Sequence, residues 1–80
     1  MAIVKEEIVG TLIKNIIKSS NLKNTTYDTV NKTLLVTFNN DHVYEYYDVP
    51  HSEYTKFRMS ESQGQYFSKN IAKKYKYAKK

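Results

Sequence analysis

The sequence predicts a small α+β domain: an antiparallel β-meander packed with a short helix, with an amphipathic helix in front of it. Three observations carry this. Apolar residues recur at helical spacing over residues 3–18, apolar and polar residues alternate between 33 and 49, and eighty residues suffice for one domain. Two segments follow, an N-terminal helix over 1–18 as a candidate oligomerisation element and a domain over 19–80 with a basic C-terminal end.

In the first segment Val4, Ile8, Leu12 and Ile16 follow an i, i+4 rhythm, flanked by Val9, Ile13 and Ile17. Glu6 and Glu7 fall early and Lys14 and Lys18 late, as a helix dipole prefers. Gly10 opposes the helix by about 1 kcal/mol relative to alanine. So wide an apolar face needs a partner, and a homo-oligomer through this helix is expected, most simply a two-fold dimer. Ser19-Ser20-Asn21 breaks the helix in a capping or turn role.

The middle reads as three strands, 21–28, 33–39 and 43–49. Leu34, Val36 and Phe38 alternate with Thr33, Leu35 and Thr37, the period of a half-buried strand. Residues 28–32 and Asn39-Asn40-Asp41 are turns, the latter built from residues that tolerate positive φ. Connections this short suit hairpins, because parallel crossovers need a dozen residues or more. Pro50 ends the third strand and opens a helix over 51–61, with Tyr54, Phe57 and Arg58 at i, i+3, i+4. Gly64 is a stop. Beyond it Tyr66, Phe67 and Ile71 read as anchored and residues 73–77 as exposed.

Charge is unevenly spread. The net charge is +5, yet residues 62–80 hold six lysines and no acid, so the first 61 residues are close to neutral. A one-signed patch attracts phosphate-bearing partners. The aromatic load is also high, with eight tyrosines and three phenylalanines. Tyrosine offers a flat stacking face with a polar tip. The chain has no cysteine, which removes disulfides and thiolate metal sites, and no apolar run long enough to span a bilayer. A cytoplasmic protein is expected, in the host cytoplasm if the source is viral, with no membrane partner.

Ser19-Ser20-Asn21, Tyr27-Asp28, the Leu34, Val36, Phe38 alternation and Val43-Tyr44-x-Tyr46-x-Asp48-Val49-Pro50 form an ordered set of motifs. Tyr54, then Ser62-x-Gly64-x-Tyr66-Phe67-x-x-Asn70-Ile71 and Tyr75-x-Tyr77, continue it. Together they resemble the KTSC domain, over about residues 19–77. The resemblance implies a small antiparallel sheet with a helix, of the kind found at the C-terminus of some lysyl-tRNA synthetases and in stand-alone bacterial and phage proteins. It carries a suggestion of RNA binding and supplies no catalytic residue. The first 18 residues depart from it.

Two constellations are candidate ligand sites. Tyr44 and Tyr46, two apart on a strand, share one face and form either a stacking platform or core. Lys69, Asn70, Lys73, Tyr75 and Tyr77 interleave groups suited to phosphate, base edge and base face, or else clamp the sheet while the lysines stay wet. His42 and His51 lack metal-site spacing, and with only two glycines there is no phosphate-cradling loop. No metal, cofactor or catalytic residue is expected. The function read from size, charge and resemblance is non-catalytic binding of a phosphate-bearing nucleotide. Its most specific form is a phage-type sponge that sequesters an immune signal such as a cyclic dinucleotide or a cyclic ADP-ribose derivative. An RNA-binding module is the alternative, and a phosphodiesterase using His42 or His51 ranks below both.

Overall fold

The structure is a computed structural model and describes residues 3–19 and 21–80. Among the described residues six antiparallel strands follow one another in space as they do in sequence: β1 (Ile3–Val9), β2 (Leu12–Ile17), β3 (Leu22–Asp28), β4 (Thr33–Phe38), β5 (Val43–Tyr46) and β6 (Tyr77–Lys79). Between β5 and β6 lie α1 (His51–Met59), the single turn α2 (Gln63–Tyr66) and a π-helical turn over Phe67–Ile71. These helical pieces cover one face of the sheet. Among the described residues no helix is long and apolar enough to cross a membrane.

The meander expected over 21–49 is present, with the third strand ending at Tyr46. Asp28 shapes the β3–β4 turn by accepting hydrogen bonds from the backbone N–H of Val30 (2.9 Å) and Asn31 (3.0 Å). Lys32 and Asp41 take positive φ (57° and 68°) in the two tight connections. The helix expected at 51–61 begins directly after Pro50 and ends at Met59.

The N-terminal helix is absent. Residues 3–17 form a hairpin, with Val9 opposite Leu12 and Gly10-Thr11 as its two-residue turn. Gly10 has φ +61° at the first turn position, where tight hairpins that suit twisted strands place glycine. Seven Ile and Val residues in 8–17 and 3–4 are β-branched and favour a strand. The helical rhythm arose because the inward row of β2 is Ile13, Asn15, Ile17. Its middle member is polar, while Ile16 faces outward and is half exposed. A polar residue inside and an apolar one outside erased the period of two. Residues 1 and 2 of that segment lie outside the described residues, as does Ser20 of the expected Ser-Ser-Asn turn.

The core lies between the sheet and the helical layer. Tyr27 of β3 stacks flat on Tyr54 of α1, centroids 4.4 Å apart and planes 4° apart, and its hydroxyl donates to the Val49 carbonyl (2.7 Å). Leu22, Leu34, Val36, Phe57 and Ile71 are fully buried in the same core. Asn15 Nδ2 donates to Tyr54 Oη (2.5 Å), and Arg58 makes a two-pronged ion pair with Glu6 (2.6 and 3.0 Å). Both contacts fasten the N-terminal hairpin to α1.

Candidate functional site

The helical layer leaves the β6 end of its sheet face partly uncovered, and aromatic residues collect there. Tyr44 and Tyr46 do share a face, and Lys79 and Tyr77 stand opposite them on the edge strand β6. The Tyr77 ring lies 5.5 Å from that of Tyr44 and 5.2 Å from that of Tyr46. Phe38, at the end of β4, meets Tyr44 edge-on at 5.4 Å. Phe67 in the π-helical turn closes over the inner part, packing edge-on against Tyr46 (5.1 Å) and Phe38 (5.6 Å).

The tyrosine pair therefore divides. Tyr46 is core at 4% exposure, and burial pushes its hydroxyl pKa up to about 12, with Tyr77 and Tyr44 adding to the rise. Tyr44 is half-buried, and Tyr77 is 55% exposed. Phe38, Tyr44 and Tyr77 form a half-open aromatic strip with Lys79 on the same face. At its far end Phe38 also lines a shallow cavity of about 280 Å³ with Asn21, Asn39 and Asn40. Phe38 and Lys79 were not among the candidate residues of the sequence: Phe38 read as one more strand apolar, and Lys79 only as part of the basic C-terminal end.

Tyr75 serves elsewhere. Its hydroxyl donates to Glu53 Oε1 (3.0 Å), as does the Lys74 ammonium (3.3 Å), while Tyr66 donates to Oε2. Glu53 belongs to α1 and is 8% exposed. Burial alone would raise its pKa, but the bonds from Tyr66, Tyr75 and Lys74 outweigh burial and hold it below the ordinary glutamate value. The same contact works on Tyr66, whose hydroxyl is pushed up to about 12 by burial and by Glu53. This cluster latches the C-terminal segment onto α1. Its sequence signal was weak, because Glu53 looks like an ordinary acid in a helix's first turn.

Lys69 and Asn70 are exposed on the π-helical turn, and Asn70 Nδ2 donates to the Tyr66 carbonyl (3.3 Å). Lys73 is exposed in the turn that follows. Of the C-terminal lysines, Lys74 pairs with Glu53 and Lys80 with Glu45. Lys69, Lys73, Lys76 and Lys79 have no ion-pair partner among the described residues. Also among the described residues, no three His, Asp or Glu side chains gather as a metal site requires.

Ser19, Asn21 and Gly64 meet in space. Ser19 Oγ donates to Asn21 Oδ1 (2.9 Å), and a Cβ on Gly64 would run into both side chains, 2.7 Å from Ser19 Oγ. The Ser-Ser-Asn turn and the Ser62-x-Gly64 motif are thus two sides of one contact, and Ser62 Oγ accepts from the Gln65 N–H to start α2. A family model for the KTSC domain matches residues 18–75. The chain belongs to the KTSC domain family. A crystal structure of a KTSC domain protein from Yersinia pestis has a TM-score of 0.80 to it, at 26% identity, covering 86% of this chain and 97% of its own. No curated protein matches. The hairpin β1–β2 precedes the region matched by the KTSC model, yet β2 pairs with β3 from Leu12↔Asp28 to Ile16↔Asn24, so both belong to one sheet.

Proposed function

We propose that this KTSC domain binds a phosphate-bearing nucleotide without turning it over. The observation that supports this best is the half-open strip of Phe38, Tyr44 and Tyr77, with Lys79 on the same face and the side chains of Asn21, Asn39 and Asn40 at its far end. Rings offer a base a stacking surface, amides offer its edge donors and acceptors, and a lysine without an acidic partner among the described residues suits a phosphate. In its most specific form the role is that of a phage-type sponge, which holds a cyclic dinucleotide or a cyclic ADP-ribose derivative intact. Lys69, Asn70 and Lys73, exposed on the helical segment, offer further cationic and amide groups; Tyr46 and Tyr75 act as supports beneath and beside the strip.

The spread of Lys69, Lys73, Lys76 and Lys79 along the C-terminal segment favours RNA binding as a second reading. Calorimetry against cyclic dinucleotides, ADP-ribose derivatives and short RNAs separates the two. Tight binding of a small nucleotide, recovered chemically intact after heat release, is the expected result. Affinity for RNA alone, falling steeply with added salt, transfers the function to the second reading. Recovery of a cleaved nucleotide overturns non-catalytic binding altogether.

A further inference from the structure

The sheet has two open edges that differ in kind. β6 is three residues long and flanked by Lys76 and Lys80, the short, lysine-guarded edge by which proteins discourage strand pairing. β1 is seven residues long and carries both signs of charge at Lys5, Glu6 and Glu7. Its hairpin also leaves apolar side chains in water, with Ile8 68%, Val9 49% and Ile16 52% exposed.

We propose that β1 pairs antiparallel with β1 of a second copy of this chain, across a two-fold axis at Glu6, joining two six-stranded sheets into one. The charge pattern is self-complementary about that axis. Lys5 of each chain stands opposite Glu7 of the other on the sheet face away from the helices, and residues directly opposite in antiparallel strands interact most strongly. At the axis the two Glu6 carboxylates meet, but each is already held by its own Arg58 at 2.6 Å. Moving the axis to Glu7 would instead set two Glu7 carboxylates against each other and Lys5 against Val9. The pairing satisfies the free backbone groups of β1 and draws Ile8 into the seam. The axis lies at the sheet edge opposite the Tyr44–Tyr77 strip, five strand spacings or roughly 24 Å away, so the proposal stands or falls independently of nucleotide binding.

Sedimentation and light scattering test this on the full chain. The expected mass is twice 9.4 kDa. Glu7→Lys sets lysines opposite one another and should weaken the dimer about tenfold or more. The double variant Lys5→Glu, Glu7→Lys restores the complementary pattern and should restore the dimer, with circular dichroism unchanged throughout. A wild-type mass of one chain, a dimer indifferent to Glu7→Lys, or a double variant no better than the single one overturns the proposal.

Discussion

Tyr75 Oη lies 3.0 Å from Glu53 Oε1, and this contact ties the C-terminal segment leading into β6 to the first turn of α1. Edge strand β6 carries Tyr77 and Lys79, so the geometry of the aromatic strip depends on a carboxylate on another element. Three donors converge on Glu53, and an amide could satisfy them only in part. Glu53→Gln should therefore cost about 1–3 kcal/mol. At about 4–8 °C per kcal/mol for a domain of this size, thermal unfolding resolves the loss readily.

The same contact sets a pH dependence. Glu53 has its pKa lowered in the fold, so the folded state favours the ionised form. Its contribution is complete above the ordinary glutamate range and disappears as pH falls through the lower, folded value. Thermal melts of the wild type and Glu53→Gln should differ most near neutrality and converge in acid. A gap that stays constant down to strongly acidic pH would mean that Glu53 contributes by packing alone.

Asn15 and Thr25 stand opposite each other on β2 and β3, both 1% exposed, and Asn15 Oδ1 and Thr25 Oγ1 have no hydrogen-bond partner among the described residues. Asn15 still donates to Tyr54, whose hydroxyl burial pushes up to about 12 despite that bond. Removing an unsatisfied buried hydroxyl should help, and removing the bonded amide should not. Thr25→Val is expected to be neutral or to stabilise by up to about 1 kcal/mol, while Asn15→Ala destabilises by about 1–3 kcal/mol. Denaturant melts of the two variants give the comparison.

Asn15 also shows where the fold was hidden in the sequence. The strands over 21–49 were legible because Leu34 and Val36 are inward and apolar while Thr33 and Thr37 are outward and polar, with turn residues between strands. In β2 the assignment of polarity to faces is reversed at Asn15 and Ile16, so periodicity pointed to a helix. At the other end Tyr77 read as a ligand or clamp residue and Lys79 as part of a basic end, not as a strand, since three residues cannot display a period. Pairing with β5 makes them a strand, and pairing partners so distant in sequence leave no local signal. The division of Tyr44 from Tyr46 was illegible for a similar reason: both share a face, and only the position of Phe67 decides which is covered.

Gly64 provides a direct test of the motif contact. A side chain there must displace Asn21 and Ser19, and overpacking of this kind costs about 1–3 kcal/mol. Gly64→Ala should be destabilising in the wild type and less so when combined with Asn21→Ala, which removes the obstructing oxygen. Chemical denaturation of the two single variants and the double variant measures this coupling. Additive losses would show that Gly64 is required for some reason other than its approach to Asn21.

The strip itself separates support from recognition at neighbouring tyrosines. Tyr46 is buried under Phe67, so Tyr46→Ala should cost about 3–5 kcal/mol and compromise the fold before any ligand is considered. Tyr77, more than half exposed at an edge, should lose only about 0.5–1.5 kcal/mol on change to alanine, the loss of its ring contacts with Tyr44 and Tyr46. If a base stacks on it, Tyr77→Ala nevertheless loses about 1–3 kcal/mol of binding, a five- to 150-fold rise in Kd on the usual free-energy scale. Lys79→Glu should weaken binding of the same nucleotide and flatten its salt dependence, because it removes one phosphate contact. Calorimetry on both variants, each first shown by its melt to be folded at the working temperature, decides whether the open end of this face is the binding surface. Unchanged affinity in both would move the site away from β6, toward Lys69 and Lys73 on the helical side.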